Sequence, residues 1–137
     1  MYHDDYGRSW EGPFDFSRTS IDQHAPTATG VYEVLYREGT QLKLAYIGRS
    51  TRGTIHDRLK AHVEDFGNWA LGRLGDPSKF CFLFYRCDPG TAEQIEETVL
   101  ATRKPPFNVK VEYRNAIPSI AVHCPYFDED VRRRHLL

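Results

Sequence analysis

The residues best placed by type and spacing to do chemistry lie on the inward stripes of two amphipathic segments. Ile55, Leu59, Val63 and Phe66 recur at steps of four, four and three, which predicts a helix beginning near Thr54. At about 100° per residue, Arg58 and His62 fall one turn apart beside that stripe, whereas Asp57, Lys60 and Glu64 turn away. A guanidinium and an imidazole on one face could converge on a single anion. The bland alternative pairs Arg58 with Asp65 or Glu33 and leaves His62 a packed bystander. In the second segment Glu96 falls between Ala92, Val99 and Leu100, inside the apolar arc, while Glu93 and Glu97 turn towards Lys104. Burying an unpartnered polar group costs on the order of several kcal/mol, so Glu96 calls for a cation or a metal.

Two tyrosines extend the set. Gly30-Val31-Tyr32 opens one β-branched, aromatic run and Tyr46-Ile47-Gly48 closes the next. Alone these are weak signals, because tyrosines in sheets usually just pack. Close behind them, Arg49, Arg52, Arg58, Lys60 and His62 fall within fourteen residues, with Glu64 and Asp65 ending the run. The chain as a whole has 18 basic and 19 acidic residues and a net charge of -1, which excludes a protein that coats nucleic acid by bulk electrostatics. Contact with a polyanion must be local, and this run is where it would be; its bland reading is a solvated helix face.

These residues need elements to hold them. Residues 1–28 carry scattered aromatics (Tyr2, Tyr6, Trp10, Phe14, Phe16) without a sustained period, and are expected to form an irregular arm. Val31 to Tyr36 and Leu42 to Ile47, punctuated by Arg37-Glu38-Gly39-Thr40, predict a hairpin that Gly48 ends. Lys79 to Tyr85 is apolar on both alternating faces and fits a central strand covered on each side. Asp88-Pro89-Gly90 then turns the chain, Thr91 caps a second helix, and Pro105-Pro106 stops it. Val109, Val111, Tyr113 and Ile120 to Val122 suggest short strands in the tail. The order β-β-α-β-α, then a β-containing extension, indicates one α/β or α+β domain, which suits 137 residues of 40% hydrophobic content.

Taken in order, Gly-Val-Tyr, Tyr-Ile-Gly-Arg-Ser, Arg58-x-x-x-His62, Glu96 and Pro105-x-x-Asn108 resemble the GIY-YIG nuclease family. The resemblance covers residues 29–110 as a nuclease core, with 1–28 as the arm and 111–137 as an extension packing on it. Valine in place of the isoleucine of the first triplet is a conservative departure. The resemblance implies a small sheet of three antiparallel strands flanked by helices, and hydrolysis assisted by one divalent ion, magnesium or manganese. On that reading Tyr32 is the general base, Glu96 holds the metal, Arg58 binds the scissile phosphate, and Tyr46 and His62 orient the base, water or phosphate. Arg49, Ser50, Arg52 and Lys60 contact nucleic acid, Gly30 and Gly48 shape the strands, and Asn108 ties the end of the second helix to the sheet. The products would be a 5′-phosphate and a 3′-hydroxyl.

A free tyrosine has a pKa near 10, so its use as a base near pH 7 requires about three units of help, roughly 4 kcal/mol. Cations such as Arg49, Arg58 and the metal are expected to supply it by favouring the phenolate. A magnesium held by one carboxylate keeps several waters and leaves room for phosphate oxygens. The expected partner is nucleic acid, DNA in preference to RNA. So small a chain touches only a few base pairs, so sequence specificity would need a homodimer or a partner protein.

Two other function classes stay open: a non-catalytic nucleic-acid-binding or assembly module on the same fold, and a hydrolase of small phosphodiesters. Cys81, Cys87 and Cys124 have no CxxC spacing, and His123-Cys124 finds no second pair of ligands, so structural zinc is not expected. No run approaches about 18 apolar residues and the N-terminus lacks the order of a secretory signal, which points to the cytoplasm and away from membranes. Arg132-Arg133-Arg134-His135 could touch a nucleic-acid backbone or simply be a solvated terminus.

Overall fold

A tight hairpin sets the centre of the fold. Glu38 and Gln41 pair across Gly39-Thr40, where Gly39 takes a left-handed φ of 62° that only glycine adopts without strain. The computed structural model describes residues 2–4, 6–65, 77–103, 105 and 108. In chain order its elements are β1 (Tyr2–His3), β2 (Ser9–Asp15), α1 (Arg18–His24), β3 (Gly30–Glu38), β4 (Gln41–Ser50), α2 (Ile55–Glu64), β5 (Phe80–Arg86) and α3 (Pro89–Arg103), with a 3₁₀ turn at Pro77–Lys79 before β5. The fold is α+β. Every neighbouring strand pair is antiparallel, in the order β1-β2-β5-β3-β4.

Both faces of the sheet are buried. Tyr32 and Val34 of β3, with Phe80, Phe82 and Phe84 of β5, pack against Ile21 of α1 and Ile55 and Leu59 of α2. Val31 and Leu35, with Cys81 and Leu83, pack against Ala92, Ile95 and Val99 of α3. This two-sided burial is why Phe80–Phe84 reads as an unbroken apolar run. In β4 the alternation breaks once: Val34 pairs with Tyr46 but Leu35 pairs with Leu44, so Ala45 is an extra residue. The bulge puts Ala45 and Tyr46 on the α1/α2 side together, while Leu44 and Ile47 both reach the α3 side.

The sheet has five strands where three were expected, with β4, β3 and β5 adjacent within it. β2 pairs with the outer edge of β5 and the two-residue β1 pairs with β2, so the arm is not irregular: it contributes two strands and α1. Its strand hides in the sequence because Gly12-Pro13 interrupts the alternation where the β2–β5 register shifts between Glu11 and Phe14. A Cβ at Gly12 would come within 2.7 Å of the Phe82 carbonyl oxygen, so β2 can lie this close only with glycine there.

Two element boundaries also move. β4 continues past Gly48 to Ser50. α3 starts at Pro89 rather than after a Thr91 cap, because Asp88 takes the capping role: its carboxylate accepts from the Thr91 backbone N–H at 3.1 Å and from the Thr91 hydroxyl at 2.6 Å. Proline suits the first helical position, where no N–H is required. Phe66, Gly67, Gly72 and the expected strands of 111–137 lie outside the described residues. No described helix is long and apolar enough to cross a membrane.

Candidate functional site

Two glycines let β3 and β4 place the tyrosines. Tyr32 sits opposite Gly48, and a Cβ at position 48 would collide with the Tyr32 ring and hydroxyl. At Gly30 a Cβ would run into the Tyr85 carbonyl oxygen, at a positive φ of 155°. Tyr46 is the diagonal neighbour of Tyr32 on the same face, with ring centroids 6.3 Å apart. The third ring comes from α2. Thr54 caps that helix by accepting from the Asp57 N–H at 3.0 Å, and the Ile55 and His56 N–H groups bond back to the carbonyls of Ala28 and Pro26. These anchors fix the phase of α2 so that His62 meets both tyrosines, at centroid distances of 5.9 Å from Tyr32 and 5.5 Å from Tyr46.

The Tyr32 oxygen and His62 Nε2 are hydrogen-bonded at 2.9 Å. Tyr32 is wholly buried. Burial, reinforced by Tyr46, pushes its hydroxyl well above the range of a free phenol; Arg58 opposes this by charge and a hydrogen bond but does not overcome it. Arg58 favours the phenolate as expected, but loss of solvent outweighs the guanidinium. His62 moves the other way: burial, then Arg58, pull its imidazole down to about 4, so it is neutral at pH 7. A protonated phenol thus faces a neutral imidazole.

Beside this group opens a cavity of about 300 Å³ lined by Tyr46, Gly48, Arg49, Ser50, Arg52, Arg58 and Glu96. Strand β4, the loop after it, α2 and α3 all contribute. Glu96 is half-buried, and burial raises its carboxyl while Arg49 and then Arg58 lower it. Arg49 lies 3.5 Å from Glu96 and 3.6 Å from Glu93. Glu93 was expected to turn towards Lys104, but its i, i+3 spacing to Glu96 keeps both within reach of Arg49. That spacing was the available signal. Ser50 is buried in the cavity wall, and its Oγ has no hydrogen-bond partner among the described residues.

The structure therefore brings together Tyr32, Tyr46, Arg58, His62 and Glu96, with Arg49, Ser50 and Arg52 alongside. It does not bring in Lys60, whose Nζ donates to Asp22 of α1 at 3.1 Å. His56 Nε2 reaches the same Asp22 oxygen at 2.8 Å, so this side of α2 clamps α1. Glu33 is buried on the other face of β3, with Val31 and Leu35, which separates it from Arg58. Asn108 makes the expected tie: its Nδ2 donates to the Ile47 carbonyl at 2.7 Å and its Oδ1 accepts from the Ile47 N–H at 2.9 Å. Cys81 is buried, which pushes its thiol up to about 12 and leaves it inert. His123, Cys124 and the Arg132-Arg133-Arg134-His135 run lie outside the described residues.

Among the described residues no group of three or more His, Cys, Asp or Glu side chains could hold a metal. Glu96 is the carboxylate in the cavity lining, with Arg49, Arg52 and Arg58 around it, so a divalent ion held there would take one protein ligand and keep most of its waters. Comparison with known proteins finds no matching family model, no matching curated protein and no matching solved structure.

Proposed function

We propose that this chain is a metal-dependent endonuclease of the GIY-YIG kind, hydrolysing phosphodiester bonds of nucleic acid, DNA in preference to RNA. The observation that carries the proposal is the Tyr32–His62 pair behind a cavity walled by Arg58 and Glu96. A neutral imidazole against a protonated phenol is a proton relay. With Nε2 unprotonated, the Tyr32 O–H donates to it; as water attacks phosphorus, Tyr32 accepts the water proton and passes its own to His62. This avoids a free phenolate, which burial disfavours.

Arg58 would bind the non-bridging phosphate oxygens and neutralise charge growing there. Tyr46, edge-on to His62, holds the imidazole in register. The P–O3′ bond breaks and the departing O3′ takes a proton from solvent water, leaving a 5′-phosphate and a 3′-hydroxyl. Magnesium or manganese held at Glu96 would supply neutralisation of the phosphate and the departing oxygen. Arg49, Ser50 and Arg52 would steady the flanking backbone, and a second copy or a partner protein would add sequence specificity.

The deciding experiment is a panel of labelled DNA and RNA substrates with magnesium, manganese and chelator, run on the parent, Glu96→Gln and Glu97→Gln. Metal-dependent cleavage lost in Glu96→Gln and kept in Glu97→Gln, whose side chain is exposed, supports the reading. Binding without cleavage under every condition would make this a recognition module. Turnover of small phosphodiesters without polymer cleavage would replace the substrate class.

A further inference from the structure

In and beside the cavity three guanidiniums, Arg49, Arg52 and Arg58, stand against the carboxylates of Glu96 and Glu93 before any ligand arrives. Glu93 and Glu96 face the Arg49 guanidinium at 3.6 and 3.5 Å, and Arg58 lines the same space. Such a site does not draw a lone divalent ion strongly, because the guanidiniums present a like charge and Arg49 already occupies the carboxylates. Both Arg49 contacts are longer than the roughly 2.7–2.9 Å of a tight charge-assisted bond, and its side chain is 36% exposed, so little holds it there. The second observation is Ser50: a buried hydroxyl in the same wall with no partner among the described residues. A hydroxyl in that position wants an oxygen or a donor from something that enters.

We infer that Arg49 exchanges partners as substrate loads: it neutralises Glu93 and Glu96 in the free protein and moves with the Ser50 hydroxyl onto a backbone phosphate, freeing both carboxylates for one divalent ion. This rests on the proposed metal role of Glu96 and adds Glu93 as its companion ligand, one turn earlier on α3. Metal and nucleic acid then bind cooperatively. By linkage, the factor by which nucleic acid tightens metal binding equals the factor by which metal tightens nucleic-acid binding.

The test is direct manganese binding to the full chain without nucleic acid, read by electron paramagnetic resonance of the free ion. Arg49→Gln should bind manganese about tenfold tighter than the parent, since a charge several ångströms from the ion is removed in a solvent-screened site. Adding Glu93→Gln to Arg49→Gln should reverse most of that gain. Equal or weaker binding by Arg49→Gln would overturn the exchange. If Glu96→Gln abolishes binding in the parent while Arg49→Gln brings no gain, the exchange fails and the metal reading stands. If Glu96→Gln leaves manganese binding untouched, the metal reading itself fails. A second measurement does not depend on Arg49 variants folding: in Tyr32→Phe, a short DNA duplex should tighten manganese binding about tenfold, and unchanged affinity would equally overturn the proposal.

Discussion

Tyr32 and His62 share a 2.9 Å hydrogen bond that joins the central strand β3 to α2, with the phenol raised and the imidazole lowered by the same burial. Tyr32→Phe removes only the oxygen from a site the ring still fills. Single-turnover cleavage should fall on the order of 10²–10⁴-fold, while stability changes by about 1 kcal/mol. Cleavage within threefold of the parent would remove Tyr32 from the chemistry.

The imidazole gives a pH signature. His62 titrates at about 4 in the folded chain against 6.5 in the ordinary case. Between those values the unfolded chain binds more protons, so stability rises with pH through that window and is lost as pH falls from 6.5 towards 4. The full effect is roughly 3 kcal/mol. Thermal unfolding of the parent compared with His62→Gln should diverge across this interval and run parallel above it. Curves parallel throughout would mean that His62 is not held neutral. Activity should survive to lower pH than a free histidine base would allow.

Arg58 is exposed on α2, so Arg58→Ala should fold normally. Both affinity and turnover should drop, by on the order of a hundredfold in kcat/KM, because the guanidinium is assigned to the phosphate before and during reaction. A lower melting temperature with unchanged kinetics would instead mark it as structural.

Gly48→Ala should destabilise the chain by about 1–3 kcal/mol and abolish cleavage, since the added methyl meets the Tyr32 ring. Combining it with Tyr32→Leu should cost less than the two changes added together. Strict additivity would mean the two residues do not touch.

How much of this could be read from the chain depended on whether burial left a period behind. Ile55, Leu59 and Val63 betrayed α2 because one face is wet and the other dry, and Phe80–Phe84 betrayed β5 because both faces are dry. β2 was hidden by its own irregularity at Gly12-Pro13, and α1 by its length, since one buried residue, Ile21, makes no period. The Ser17 cap, which accepts from the Ser20 N–H, was its one signal. At the site, helical phase placed Arg58, His62 and Glu96. The spacing of Glu93 to Glu96 was legible too, but not the reach of Arg49 from a different element, nor the engagement of Lys60 by α1. The raised phenol of Tyr32 has the same root: charge is visible in a sequence, whereas desolvation belongs to the packed fold.

The tie between Asn108 and Ile47 has a consequence for how copies of this protein meet. Among the described residues β4 is the last strand of the sheet, and its outward N–H and C=O groups would invite another chain to add a strand. The Asn108 amide answers one donor and one acceptor of Ile47 at once, imitating a neighbouring backbone for the length of one residue. A strand approaching along this edge must first evict that side chain. Asn108 thus acts as a stopper against edge-to-edge aggregation, and Asn108→Ala should open the edge to self-association, seen as growth in hydrodynamic size with concentration.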